Sequence, residues 1–231
     1  SDKDVEQLRA KRTAEPHARL WIRLTERTRE VMAATRESGF TLDMGGIGWH
    51  SRTPSVQAAA LMHLLDDDAD ALRYVEECVR MLIRDSEEKM SGKVTPPSGK
   101  RGPRLLVHSL AEVASATDML RDRLGDETRS ALLSFMREIA IDYALGAEPY
   151  IMYGGGGNIV WCRNVRSAVC ALLWGNDCEH PTWREVVRHG VNHTRCYLKY
   201  GCDEAGYSFE GTGYGHGVFR VMFEFVELLR L

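Results

Sequence analysis

The chain has 231 residues, 44% hydrophobic and 27% charged, with 30 Lys and Arg against 33 Asp and Glu for a formal net charge of -3. Those totals are ordinary for a globular protein and allow one large domain or two small ones with a sizeable core. They exclude an evidently basic nucleic-acid binder, though not a local basic cleft. No run of about 18 apolar residues occurs, so no membrane-spanning helix is expected. The charged start Ser1-Asp-Lys-Asp-Val-Glu6 does not read as a signal peptide, and a trimmed chain would look the same.

In chain order, residues 16–38 read as a helix, with Leu20, Ile22, Leu24, Val31 and Met32 at near-helical spacing, and Gly39 stops it. A loop follows over 40–53. Thr53-Pro54 is a helix start, threonine as cap and proline in the first turn, and Val56, Ala60, Leu64 and Leu65 give that helix its apolar face. Asp66-Asp-Asp68 breaks it and puts acid at the positive end of the next helix, in which Leu72, Val75, Val79, Leu82 and Ile83 follow the i, i+3, i+4 rule. Residues 91–104 form a long basic loop rich in Pro and Gly, a lid or an ordered excursion. Helices are expected over 105–124, with Leu106, Leu110, Val113, Ala114 and Leu120 inside, and over 127–145, with Leu132, Leu133, Met136, Ile139 and Ile141 inside. Gly125-Asp126 turns the chain between them, and Asp126 is a candidate cap.

Residues 160–175 read as a buried helix through Val165, Ala168, Val169, Ala171, Leu172 and Leu173. Thr182-Trp-Arg-Glu185 is a capping box that starts a helix running to about Tyr200. A last helix begins near Thr212 and runs through Phe219, Phe223 and Phe225. The result is about eight helices, no alternating strand and no fixed repeat period, which favours a bundle, array or toroid of helical hairpins. The chain stops inside an apolar helix without a Gly or Pro stop signal, so a longer parent chain is expected.

The six cysteines are Cys78, Cys162, Cys170, Cys178, Cys196 and Cys202. None forms a Cys-x-x-Cys pair, which removes zinc-ribbon spacing, and most read as small buried residues. His189 and His193 stand at i, i+4 near His180, but no His-Glu-x-x-His pattern and no third ligand accompany them, so no metal and no cofactor is expected.

Two glycine-dense stretches bracket two of the later helices, Tyr153-Gly-Gly-Gly-Gly-Asn158 and Gly206-Tyr-Ser-Phe-Glu-Gly-Thr-Gly-Tyr-Gly-His-Gly217. The first is no nucleotide loop, because no strand precedes it and no Lys-Ser/Thr follows. It is either an inter-helix turn or a place where backbone approaches a ligand closely. After it, Asn158, Trp161, Arg163, Asn164 and Arg166 gather at a helix start. Trp161 suits stacking on a sugar ring, and the arginines suit a carboxylate or sulfate. A capped helix N-terminus with a core tryptophan accounts for the same residues. From 158 to 200 there are six cations (Arg163, Arg166, Arg184, Arg188, Arg195, Lys199) against three acids (Asp177, Glu179, Glu185), which fits an anionic substrate or a charged outer face equally.

The second stretch carries Asp203-x-x-Gly-x-x-x-Glu210-Gly-x-x-Tyr214 ahead of a helix. This pattern resembles the heparinase II/III and alginate lyase superfamily of polysaccharide lyases. The segment from Asn158 to Ala171 is similar to that family's asparagine-led helix, and the helices from His108 to Ile139 are similar to its toroid. The resemblance covers residues 55–231. It implies an all-α, incomplete (α/α) toroid of antiparallel hairpins over 1–231 as a single domain, with a C-terminal β-sandwich region in the parent chain. It implies cleavage of an acidic, uronate-containing glycan by β-elimination, outside the cytoplasm, with a homodimer left open. Tyr214 would carry the proton, Asn158 would contact the uronate carboxylate, and Glu210 would organise the cleft. Trp161, Arg163, Asn164, Arg166 and His216 would bind substrate. The family often has a histidine at or directly after that asparagine; here Ile159 follows it. Three readings stay open: Tyr214 works alone as base and acid, His193 or His216 substitutes, or the chain is a divergent relative. Rival functions are a toroid glycoside hydrolase drawing its acids from Asp43, Glu204 and Glu210, and a noncatalytic glycan-binding domain.

Overall fold

The structure is a computed structural model, and it describes residues 2–40, 53–90, 104–141, 158–202, 204 and 211–230; at 2, 85, 87–90, 104–108, 158–163, 211–218 and 220 only the backbone is described. The loop at 41–52, the basic loop at 91–103, the tetraglycine and Glu210 lie outside these residues. The described residues are all-helical, with no strand among them. Nor is any helix among them long and apolar enough to cross a membrane. The chain divides into two compact units, Ser1–Arg129 and Ser130–Leu231.

The first unit holds α1 (Asp2–Lys11), α2 (His17–Glu37), α3 (Val56–Asp66), α4 (Ala69–Met90), α5 (Arg104–Met119) and the start of α6 (Asp126–Phe135). Helix α3 is its centre and packs against α1, α2, α4 and α5. It can do so because Val56, Ala59, Ala60, Met62 and Leu65 are buried, with small residues where neighbours come close. On α4 the buried face is Ala71, Tyr74, Val75, Cys78, Val79 and Leu82, close to the expected one.

The acidic turn between α3 and α4 does more than break a helix. Asp67 takes the left-handed conformation at φ 52 and closes α3. Asp68 caps α4, its Oδ1 accepting from the backbone N–H groups of Asp70 at 3.0 Å and Ala71 at 3.1 Å. Burial works against the Asp68 carboxylate, but these two bonds and Arg29 hold its pKa below the usual value. Arginines converge on the turn from α1, α2 and the segment after α5. Arg12 pairs with Asp66, Arg29 with Asp68 at 3.2 Å and Arg123 with Asp67 at 2.9 Å. Arg9 donates to the Leu64 and Leu65 carbonyls at the end of α3, and the Trp21 indole donates to Asp66 at 3.2 Å.

Three expectations for this unit are corrected. Leu20, Ile22 and Leu24 are 62%, 54% and 37% exposed, not core. The buried face of α2 is Thr25, Thr28, Val31, Met32 and Thr35. Thr25 and Thr35 donate to the carbonyls of Ile22 and Val31, which satisfies the hydroxyls and leaves their methyl groups to pack. Pro54 is not in the first turn of α3. The helix starts at Val56 behind a left-handed Ser55, no side chain caps it, and the Pro54 carbonyl accepts from the buried Tyr74 hydroxyl at 2.7 Å. Helix α5 ends at Met119 rather than near 124, the chain turning through Leu120–Leu124 with both leucines buried.

The second unit continues α6 into a π-helical turn, Met136–Ala140, closed by a bond from the Ile141 N–H to the Met136 carbonyl at 3.2 Å. It then holds α7 (Asn158–Trp174), α8 (Trp183–Tyr200) and α9 (Gly211–Leu228). Helix α7 packs against α8, α9 and the π-helical turn. It is buried on every side between Asn164 and Ala171, as befits a central helix. Thr182 precedes α8, but no capping-box bond forms from its side chain; its own N–H donates to the ring of His180 at 3.3 Å instead.

Glycine sets how closely these helices approach. A Cβ on Gly190 of α8 would lie 2.4 Å from the Ala168 Cβ of α7 and 3.1 Å from the Phe225 ring of α9. A Cβ on Gly175 would lie 2.5 Å from the Trp183 Cβ. Gly190→Val is therefore expected to destabilise the protein by about 1–3 kcal/mol or more, as overpacked cores do. A lower melting temperature with helicity retained on cooling checks this; an unchanged melt would contradict the packing.

Candidate functional site

The contacts that fix the helix spacing also fix their register. Gly175 meets Trp183 and Ala168 meets Gly190, so α7 and α8 run antiparallel. The Tyr197 and Phe219 rings meet edge-on at 5.9 Å and Phe225 reaches Gly190, so α8 and α9 are antiparallel too. Helices α7 and α9 are then parallel neighbours.

Ten residues along each helix from the Ala168–Gly190 contact, Asn158 stands level with Tyr200. Five residues from the Tyr197–Phe219 contact, Tyr214 stands level with Cys202. Asn158 is the first residue of α7 and Tyr214 the fourth of α9. Two helix N-termini thus lie side by side at one end of the unit. Packed helix axes are about 8–10 Å apart. The first turn of any helix has backbone N–H groups without an intrahelical acceptor and carries the positive end of the dipole. An anion is the ligand this end favours.

The candidate residues fall into three groups. The backbones of Asn158, Trp161, Arg163, Tyr214 and His216 are at or near this end, on the first two turns of α7 and α9, and their side chains lie outside the described residues. Glu210 lies outside them altogether. Asn164 and Arg166 are 2% and 8% exposed and interact with other groups of the chain, inside α7's packing. His193 is also buried, seven residues before Tyr200 and so about 10 Å down the helix from that end. Its ring lies 5.1 Å from that of His189. Burial, and then the neighbouring His189, push its pKa down to about 4. At neutral pH it is an uncharged imidazole. No group of three metal-ligating side chains occurs among the described residues.

The cations counted in the sequence separate as well. Arg166 is buried, whereas Arg184, Arg188, Arg195 and Lys199 are exposed on α8. Cys170 is fully buried and its thiol is pushed up to about 12 by that burial; Cys178 is also buried and raised. These two thiols stay protonated and offer no nucleophile. Cys78, Cys170 and Cys178 are buried, in line with the expectation for most of the cysteines, whereas Cys196 is exposed and Cys202 partly so. An open groove lies at the opposite end of the unit, lined by Leu133, Ser134, Arg137, Glu138, Asp177, Cys178 and Glu179. It contains none of the candidate residues.

Comparison with protein-family models, curated proteins and solved structures gives no match to this chain.

The His193 shift sets a pH dependence. Between pH 4 and 6.5 the unfolded chain binds a proton that the folded one does not, so stability rises with pH across that window. Lowering the pH from 6.5 toward 4 is therefore expected to lower the melting temperature. In His193→Gln that slope is expected to flatten. An equal slope in both proteins would show that His193 is not held neutral by burial.

Proposed function

We propose that this chain is the helical part of a polysaccharide lyase, an incomplete (α/α) toroid that cleaves an acidic, uronate-containing glycan by β-elimination. The observation that carries the reading is the pairing of the α7 and α9 N-termini, which brings the Asn158 and Tyr214 positions to one end of the unit. The consecutive antiparallel pairs, α3 with α4 and α7 with α8, are the hairpins such a toroid repeats.

The chemistry asks for three things. The C5 proton of a uronate is weakly acidic, so the carboxylate charge must be neutralised before the proton leaves. Asn158 and the N–H groups of the first turn of α7 supply that stabilisation. A base must take the proton, and the Tyr214 phenolate is favoured by its place in the first turn of α9. The C5–H electron pair then forms the C4–C5 double bond as the C4–O bond breaks. The phenol returns its proton to the departing glycosidic oxygen, so no water is consumed. His193, neutral and two turns away, shapes the helix packing in this scheme rather than carrying the proton.

The test is incubation with alginate, heparan sulfate, chondroitin and hyaluronan, following the ultraviolet absorbance of the conjugated unsaturated uronate. One glycan is expected to give a rise, and Tyr214→Phe to lower its rate by about 10²–10⁴-fold, the usual worth of a positioned acid–base group. New reducing ends without that absorbance would mean hydrolysis and overturn the proposal. An unchanged rate in Tyr214→Phe would remove Tyr214 from it.

A further inference from the structure

We propose that the outer face of α8 is a binding track for a linear, sparsely charged polyanion, an acidic polysaccharide, distinct from the helix-terminus site. Arg184, Arg188, Asn192, Arg195 and Lys199 are all exposed. At 100° per residue they fall within about 80° of one another. The buried residues Val186, Gly190, His193, Thr194 and Tyr197 take the opposite side of the helix. The stripe is about 22 Å long at 1.5 Å per residue and contains no carboxylate.

Exposed charge on a helix is commonplace; a face whose charges are all of one sign is less so, and the exposed Glu185 lies just outside this one, about 100° round from Arg184. On α2, Arg19 pairs with Glu15, Arg27 with Glu30, Arg29 with Asp68, and Arg36 with Asp70 and Glu77. Among the described residues the four α8 cations pair with no carboxylate. Arg184–Arg188 and Arg195–Lys199 are like charges at i, i+4, which repel. Arg184 and Arg188 also sit in the first two turns, where the dipole disfavours cations. Among the described residues nothing offsets these costs, and an external polyanion would remove them.

At each end of the stripe a cation lies over an aromatic ring, Arg184 4.6 Å from the Trp183 centroid and Lys199 4.8 Å from that of Tyr200. Tyr200 is 65% exposed, so a ring face is open to a sugar at the end level with Asn158. Charge spacing selects the partner. Four cations over about 22 Å is one per about 7 Å, against one phosphate per about 3.4 Å along a nucleic-acid strand. A glycan charged on every ring or every second ring is the closer match. The choice of glycan rests on the proposed function, whereas the stripe does not depend on Tyr214.

The experiment is titration of the whole chain with size-defined hyaluronan and alginate oligosaccharides at several salt concentrations. Arg184→Gln/Arg188→Gln/Arg195→Gln/Lys199→Gln is expected to raise the dissociation constant at least tenfold. The slope of log K against log salt should shrink by about 3, at roughly 0.7 per cation for a single strand. The loss should be the same in the wild-type and Tyr214→Phe backgrounds, which separates this track from the reaction. A variant keeping charge, Arg184→Lys/Arg188→Lys/Arg195→Lys/Lys199→Arg, should bind within a few-fold of the parent and guards against misfolding of the first. The proposal is overturned if the parent binds neither glycan, or if Arg19→Gln/Arg23→Gln/Arg27→Gln on α2 costs as much. It is also overturned if single-stranded DNA of equal charge binds more tightly through the same four residues.

Discussion

Gly190 has no side chain, and three helices meet where one would be. The Ala168 methyl of α7 and the Phe225 ring of α9 occupy that space. The contact fixes the spacing and the axial register of α7, α8 and α9 together, because a shift by one residue would bring a Cβ of α8 into the same gap. Everything at either end of the unit follows from it. Toward one end lie the N-termini of both α7 and α9, Gly211 about 7.5 Å beyond Asn158 along the axis; toward the other the turn at Gly175 and Trp183 closes the hairpin. The first unit has its own equivalent in the acidic turn, where Asp68 starts α4 and arginines from three segments neutralise what would otherwise be three adjacent repelling carboxylates.

The electrostatics of the candidate site come from the backbone before the side chains. Two parallel helices bring two positive dipole ends together, a costly arrangement unless an anion or solvent answers it. Of the described buried titratable groups in this unit, Arg166 is the one that carries charge, and its charge is positive at every relevant pH. His193 is held neutral, and the Cys170 and Cys178 thiols are held protonated. An anion at this end thus meets a fixed positive field that changes little across neutral pH. This is the preorganisation that stabilising a carboxylate's developing charge requires. The α8 stripe differs in kind, since its charges are side chains in water and its attraction is screened by salt.

Much of this was legible in the sequence. The helices of the later half are where apolar spacing and glycine breaks put them, because α7 and α9 carry unambiguous runs. Residues whose roles depend on partners elsewhere in the chain were not legible. Leu20 and Leu24 look like core by spacing, yet α2 buries a threonine face, and a threonine whose hydroxyl is satisfied by its own helix counts as apolar. Thr182 and Glu185 match a capping box, but His180 takes the Thr182 N–H. Asn164 and Arg166 sit among candidate site residues in the sequence and inside the packing in space. The register that aligns Asn158 with Tyr214 depends on Gly190 meeting Ala168, which no periodicity reveals. The cations of α8 could have been sorted by face, since 184, 188, 195 and 199 differ by helical intervals.

The most direct measurement is a backbone amide NMR titration with a short uronate oligosaccharide. The central claim is that the paired N-termini of α7 and α9 receive the carboxylate. Shifts are expected to concentrate at the first-turn amides of both helices, Asn158–Trp161 and Gly211–Tyr214, and to move together with one dissociation constant. Shifts confined to the groove around Arg137 and Glu179, or one helix terminus responding without the other, would contradict it.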